Sequence, residues 1–135
     1  MLLSDTHKIA NIVNGNLSIE EGINFKGICT DTRQRVAGRL FIALEGENFD
    51  GHLFAQSAEK LGAKAIIAHK KVNTSLPTII VKDTEKAYQK LATWYRQSLS
   101  PQVIAITGSN GKTTTKNMLD SILSLHAPTL STKGN

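Results

Sequence analysis

Apolar residues along this 135-residue chain follow two rhythms, a helical one and a strand one, in alternation. Near the start, Ile9, Ile12 and Val13 recur at the spacing that gathers side chains on one helical face. Ser4 or Asp5 stands in front as the cap. Asn14-Gly15 follows as the stop, since Gly tolerates the left-handed conformation there. Phe25 to Thr30 predicts a short strand, and Arg39 to Leu44 (RLFIAL) predicts a second, while Gly46 to Gly51 (GENFDG) reads as a loop. A helix is expected over Leu53 to Leu61, with Leu53, Phe54, Ala58 and Leu61 on one side and Gly62 as its stop. Ala65 to Ala68 and Thr78 to Val81 are short apolar runs between polar neighbours, which fit strands buried on both faces. Asp83 or Thr84 then caps a longer helix. Ala87, Leu91, Trp94 and Ser98 share one face of it, Tyr88 and Tyr95 lie beside them, and Pro101 forms a connection. Val103 to Ile106 predicts another strand, and Lys112 to about Leu125 a helix carrying Met118, Leu119, Ile122 and Leu123 before Pro128.

Strands alternating with helices define the α/β class. The pattern divides into a small α/β domain over 1–83 and the beginning of a second, parallel-sheet domain over 84–135. The strand and helix after Pro101 are too few to cover both faces of a parallel sheet, so a truncated chain is expected. Composition changes this picture little. A hydrophobic fraction of 40% with 20% charged residues is ordinary for a globular protein and excludes a collagenous or wholly disordered chain. No apolar run reaches the roughly 20 residues of a membrane span, and the N-terminus does not read as a signal peptide. One cysteine, Cys29, cannot form an internal disulfide, so a cytoplasmic protein is the default expectation. Sixteen Lys and Arg against eleven Asp and Glu give a net charge of +5, which suits an anionic partner. The basic residues are scattered and the aromatics sparse, which argues against nucleic acid.

The chemistry concentrates in Thr107-Gly108-Ser109-Asn110-Gly111-Lys112-Thr113-Thr114, between the last strand and the last helix. Gly108 and Gly111 permit a tight turn whose amides approach phosphate oxygens closely. The helix N-terminus adds unpaired donors and partial positive charge. Lys112 reaches the β- and γ-phosphates of ATP, and the Thr113 hydroxyl can ligate Mg²⁺. The loop is shorter than the common G-x-x-x-x-G-K-[ST] form, because Ile106 stands two residues before Gly108.

This shortened TGSNGKTT loop resembles that of the Mur ligase family, the ATP-dependent amide-forming ligases of peptidoglycan synthesis. Folylpolyglutamate synthetases share the loop style, and further segments narrow the resemblance. Thr30-Asp31-Thr32-Arg33 followed by Gly38 to Leu44 is similar to the family's N-terminal uridine-nucleotide domain. Gly46-Glu47-Asn48-Phe49-Asp50-Gly51-His52 is similar to its uracil-side loop, and Thr132-Lys133-Gly134-Asn135 to the T-x-G-N after the phosphate-loop helix. The combination is most similar to the branch that adds D-alanyl-D-alanine to UDP-N-acetylmuramoyl-tripeptide. The resemblance implies that Lys112, as catalytic residue, and Gly108, Ser109, Asn110, Gly111, Thr113 and Thr114 hold ATP, with Thr113 on Mg²⁺. It implies that Thr32, Arg33, Glu47, Asn48 and Phe49 hold the UDP end of the substrate. The implied reaction phosphorylates the peptide carboxylate, and the amine of D-alanyl-D-alanine attacks the acyl phosphate to form an amide. The family's acidic Mg²⁺ ligand, modified lysine, histidine and third domain all lie beyond Asn135, so the chain alone is expected to show no ligase turnover. A stand-alone UDP-binding module and a ligase for another amino acid are the alternatives.

Individual residues carry alternatives. Arg33 is either a nucleotide ligand or a surface cation on a turn, and Asp31 reads as a cap of that turn. Asn48 has both donor and acceptor for a pyrimidine edge. Phe49 either stacks on the base or plugs the core. His52 reads as structural, Cys29 as a small core residue with some case for accessibility, and Trp94 as core. The histidines at 7, 52, 69 and 126 show no metal-ligand spacing, so no zinc site is expected.

Overall fold

A computed structural model describes residues 3–133. It divides into two compact units, 1–100 and 101–135. At the centre of the first lies a five-stranded sheet in the order β2-β9-β8-β5-β4. Its strands are β2 (Asn16–Leu17), β4 (Ile28–Cys29), β5 (Leu40–Ile42), β8 (Ala65–Ala68) and β9 (Thr78–Ile80). Neighbours β4, β5, β8 and β9 run parallel, and β2 caps the sheet antiparallel to β9. The mixed α/β architecture is the one expected from the sequence.

Both faces of this sheet are covered, which explains the all-apolar strands. Successive strand residues point to opposite sides. Leu40, Ile42, Ala65, Ile67 and Ile79 meet Ile9, Val13, Phe25, Ala87 and Leu91 on one face. Phe41, Ala43, Ile66 and Ala68 meet Cys29, Val36, Ala55, Ala58 and Ala63 on the other. The first face is covered by α1 (Thr6–Val13) and α3 (Thr84–Leu99), the second by the short α2 (Ala55–Lys60). Asp5 caps α1 by accepting from the Lys8 amide at 3.0 Å, and Asp83 caps α3 by accepting from the Lys86 amide at 3.0 Å. Glu59 of α2 ties down the β8–β9 connection, accepting from Thr74 Oγ1 at 2.7 Å and from the Ser75 amide at 3.1 Å.

The structure departs from the sequence reading where local signals compete with packing. The left-handed residue ending α1 is Asn14, with φ 56°, and not Gly15. Gly15 is needed instead for close approach: a Cβ there would meet Ile79 Cγ2 at 2.5 Å. The strand expected over 25–30 is two strands broken at Gly27. β3 (Asn24–Lys26) pairs with β1 (Leu3–Asp5), and β4 joins the main sheet. The expected loop at 46–51 contains a hairpin, β6 (Glu45–Gly46) with β7 (Phe49–Asp50). A 3-10 turn, Gly51–Phe54, precedes α2. Leu53 is 79% exposed and Leu61 points outward too. The face that packs is Ala55 and Ala58, because small side chains let this short helix lie close on the sheet. Trp94 is only half-buried, with the Lys8 ammonium 5.0 Å from its ring centroid.

The division between units also differs from the expected 83/84. Ala87 and Leu91 of α3 belong to the first core, so the break falls at 100/101. In the second unit α4 (Lys112–Leu123) forms as expected, but Val103–Ile106 adopts no strand. A strand needs a ladder partner, and none is present among the described residues of this unit. Val103 and Ile104 are exposed, as are Met118 and Ile122 of α4. Gly134 and Asn135 of the T-x-G-N segment lie outside the described residues.

Leu91 is 1% exposed. Leu91→Ala is expected to destabilise the first unit by about 2–5 kcal/mol, read as a lowered urea midpoint. An unchanged midpoint would place α3 outside this core.

Candidate functional site

Parallel strands deliver their following loops to one edge of a sheet, where ligands of open α/β sheets bind. In the first unit β4 runs into Thr30–Arg33, β5 into the β6–β7 hairpin, and β8 into His69 and Lys70. The Thr32–Arg33 and Glu47–Phe49 segments therefore leave the same carboxyl edge, from adjacent strands.

The Asp31–Arg33 turn is closed by its own side chains. Asp31 Oδ1 accepts from the Arg33 amide at 2.9 Å, which is turn capping. The same carboxylate accepts from Arg33 Nε at 3.0 Å and Nη2 at 2.8 Å. Arg33 hydrogen bonds hold the Asp31 carboxyl below the usual carboxylate range. Asp31 thus both caps the turn and fixes the direction of Arg33, whose side chain stays 88% exposed. Thr32 beside it is half-buried.

The hairpin projects Glu47 and Asn48 at its tip, both exposed. Phe49 is 49% exposed and stacks on Phe54, with ring centroids 5.4 Å apart, so it does not plug the core. Below the tip, Glu45 and Asp50 are direct cross-strand partners. Asp50 Oδ1 accepts from the His52 amide at 2.9 Å and lies 2.7 Å from His52 Nδ1. His52 is buried, and its Nε2 accepts from the His69 amide at 3.2 Å. His69 Nε2 lies 2.9 Å from Glu45 Oε2, and the two imidazoles meet edge to face at 4.3 Å. Lys70 Nζ donates to Glu45 Oε2 at 3.2 Å and to Asp50 Oδ2 at 2.8 Å. The Lys70 hydrogen bond, aided by those of His52, holds the Asp50 carboxyl far below its ordinary value. His52 is structural, as its sequence context implies. Its contact with His69 was invisible in the sequence, because His69 arrives from another strand, as does the Lys70 that bridges Glu45 and Asp50. The fold also brings Glu45, His52 and His69 together, with ligand-capable atoms within 4.8 Å of one another, although the histidine spacing offers no such set.

In the second unit, Gly108 has φ +147° and Gly111 +76°, a region that side chains with a Cβ rarely adopt. Gly111 opens α4 directly, and nothing lies within 4 Å of where its Cβ would be. Lys112 folds back over the loop, its Nζ donating to the Gly108 carbonyl at 2.7 Å. Ser109, Asn110, Thr113 and Thr114 are exposed around it. Lys116 Nζ donates to the Thr132 carbonyl at 2.8 Å, which ties the segment after α4 to the helix. A glycine cradle, a twelve-residue helix N-terminus and a half-buried ammonium form a donor set that fits a nucleotide polyphosphate. No helix among the described residues is long and apolar enough to cross a membrane.

Residues 24–104 match the Mur ligase family, catalytic domain, and residues 106–135 the Mur ligase middle domain. Over 128 residues the chain is 44% identical to UDP-N-acetylmuramoyl-tripeptide–D-alanyl-D-alanine ligase of Escherichia coli, covering 95% of this chain and 28% of that protein. The Bacillus subtilis protein of the same name is 39% identical, covering 100% of this chain and 31% of its own length. A Listeria monocytogenes UDP-N-acetylmuramoyl-L-alanyl-D-glutamate–2,6-diaminopimelate ligase is 38% identical, covering 91% and 25%. A crystal structure of MurF from Acinetobacter baumannii superposes with a TM-score of 0.83 at 36% identity, over 100% of this chain and 31% of that one. MurF ligase from Thermotoga maritima in complex with ADP gives 0.64 at 34% identity, over 82% and 26%. The chain thus spans under a third of the length of these relatives.

Cys29, on β4 just before the Asp31 turn, is buried and donates weakly to the Leu40 carbonyl at 3.7 Å. Burial pushes its thiol from 9.0 up to about 11, against a smaller opposing pull from Arg39. The folded thiol therefore holds its proton through the range where the unfolded thiol loses it, and this contribution to stability drains as pH rises from 9 toward 11. At pH 9, iodoacetamide should alkylate the folded chain about fiftyfold more slowly than the urea-unfolded chain, from the thiolate fractions alone. Equal rates would show an accessible, ionised thiol.

Proposed function

Because this chain belongs to the Mur ligase family, we propose that it is the nucleotide-binding front of an ATP-dependent ligase that joins D-alanyl-D-alanine to UDP-N-acetylmuramoyl-tripeptide in the cytoplasm. In this reading Thr32, Arg33, Glu47, Asn48 and Phe49 receive the uridine diphosphate end, and the 108–114 loop receives ATP with Mg²⁺. The observation that carries it is the turn at Gly111. A left-handed glycine hands the loop into α4 while Lys112 reaches back across it, which leaves an ammonium and a helix N-terminus beside the same short loop.

ATP supplies the phosphoryl group that activates the peptide carboxylate. The chain's own residues position and offset charge. Lys112 exchanges its bond to the Gly108 carbonyl for phosphate oxygens, a charge-assisted contact aimed at the transferring group. The Thr113 hydroxyl would hold the Mg²⁺, and Ser109, Asn110 and Thr114 would complete the polar rim. Arg33, its direction set by Asp31, offers a planar donor fork to diphosphate or uracil oxygens. Phe49, already stacked on Phe54, presents an aromatic face to the base, and Asn48 offers both a donor and an acceptor. Fixing the uridine end positions the distant carboxylate. The remainder of the ligase supplies the other metal ligand and the site for the incoming amine. The Phe49-Asp50-Gly51-His52 ending favours the D-alanyl-D-alanine branch over the diaminopimelate branch, which typically lacks it.

Isothermal titration tests both sites separately. Lys112→Ala should weaken ATP·Mg²⁺ binding about tenfold or more and leave UDP binding unchanged. Arg33→Ala should do the reverse by about tenfold. A wild-type chain that binds neither ligand would overturn the proposal.

A further inference from the structure

The strand register sets two carboxylates face to face at the base of the nucleotide-side hairpin, since Glu45 pairs directly with Asp50. Like charges at opposed positions push a hairpin open. The chain places one ammonium between them: Lys70 Nζ lies 3.2 Å from Glu45 Oε2 and 2.8 Å from Asp50 Oδ2. Lys70 belongs to neither hairpin strand. It follows His69 at the carboxyl end of β8, which is held in register by β5 and β9. His69 reinforces the join from the same segment, pairing with Glu45 and donating its amide to His52. His52 and Asp50 are already locked together. Gly51 leaves no slack beside them, because its amide donates to the Leu44 carbonyl at 2.7 Å and a Cβ on it would collide with Leu44 backbone.

A divalent metal is the other reading of Glu45, His52 and His69. Two observations weigh against it. Both ring nitrogens of His52 are engaged, by Asp50 and by the His69 amide. The Glu45 oxygen facing His69 also accepts from Lys70, so a cation already neutralises the group.

We propose that Lys70 is a positioning residue: it bridges the opposed Glu45 and Asp50 carboxylates and so holds the hairpin that presents Glu47, Asn48 and Phe49 to the uridine nucleotide. Lys70 sets affinity by ordering the hairpin before binding, so that less conformational freedom is lost when the ligand arrives. The affinity consequence rests on the reading of this edge as the uridine site, while the ordering of the hairpin does not.

Three variants of the full chain test it: Lys70→Met, Lys70→Arg and the double change Lys70→Met with Glu45→Gln. Amide hydrogen exchange over 45–50 reads the hairpin, and titration with UDP reads affinity. Lys70 and its partners are partly exposed, so solvent screening keeps the expected effects modest. Lys70→Met should speed exchange at 45–50 and weaken UDP binding, each by about three- to tenfold, with ATP·Mg²⁺ binding unchanged. Lys70→Arg should restore both. Glu45→Gln in the Lys70→Met background should recover part of each loss, because it removes the like-charge pair. A merely structural lysine would not be compensated by deleting its partner. Exchange at 45–50 unchanged by Lys70→Met overturns the proposal, as does failure of the second change to compensate. Zinc that slows exchange in the wild type and not in a His69→Ala variant would also overturn it, in favour of a metal. A wild-type chain that fails to bind UDP, with exchange behaving as described, rejects the uridine site and the affinity role while leaving the hairpin clamp standing.

Discussion

The parallel ladder between β5 and β8 buries every side chain of both strands; the β6–β7 hairpin and the His69–Lys70 segment hang from it directly, and the Arg33 turn hangs from β4 beside it. Leu40 and Ile42 go to one side and Phe41 to the other. Ala65 and Ile67 alternate with Ile66 and Ala68 in the same way. A one-residue slip would exchange the two faces and set large side chains against helices packed for small ones. That constraint makes the carboxyl edge a fixed platform. It is why the Arg33 turn, the β6–β7 hairpin and the His69–Lys70 segment keep their relative places without a rigid element of their own.

The polar groups at this edge form a second layer of order. Asp31 directs Arg33, Asp50 orients His52, and Lys70 spans two carboxylates. Each contact is partly exposed, and isolated surface pairs contribute little to stability. Their value lies in direction. The 108–114 loop is built on a different principle. Its glycines adopt backbone angles that other residues avoid, and the helix that follows supplies its field without any charged side chain in the first turn but Lys112.

The second unit shows what happens to strand-like sequence without a ladder. Val103 to Ile106 has the apolar character of a buried strand and adopts none. Apolar residues are favourable only when something covers them, and exposed Met118 and Ile122 on α4 say the same of the helix. Local propensity was still enough for α4, since helical hydrogen bonds close within the segment.

Much was legible in the chain alone. Strand and helix alternation, caps at 4–5 and 83–84, the glycine-lysine turn and the buried character of 65–68 all depend on residues near one another in sequence, whereas Ile80 of the second apolar run is exposed. Such features are decided by backbone sterics, capping and the period of apolar positions. Tertiary structure alone decided the rest. It chose Ala55 and Ala58 over Leu53 as the packing face of α2, assigned α3 to the first unit, and put Gly15 against Ile79. It also brought Lys70 between Glu45 and Asp50, residues twenty and more positions away. These outcomes turn on which surfaces meet and how closely. Distance through space is set by the packing of the whole sheet, and no local pattern of residues encodes it.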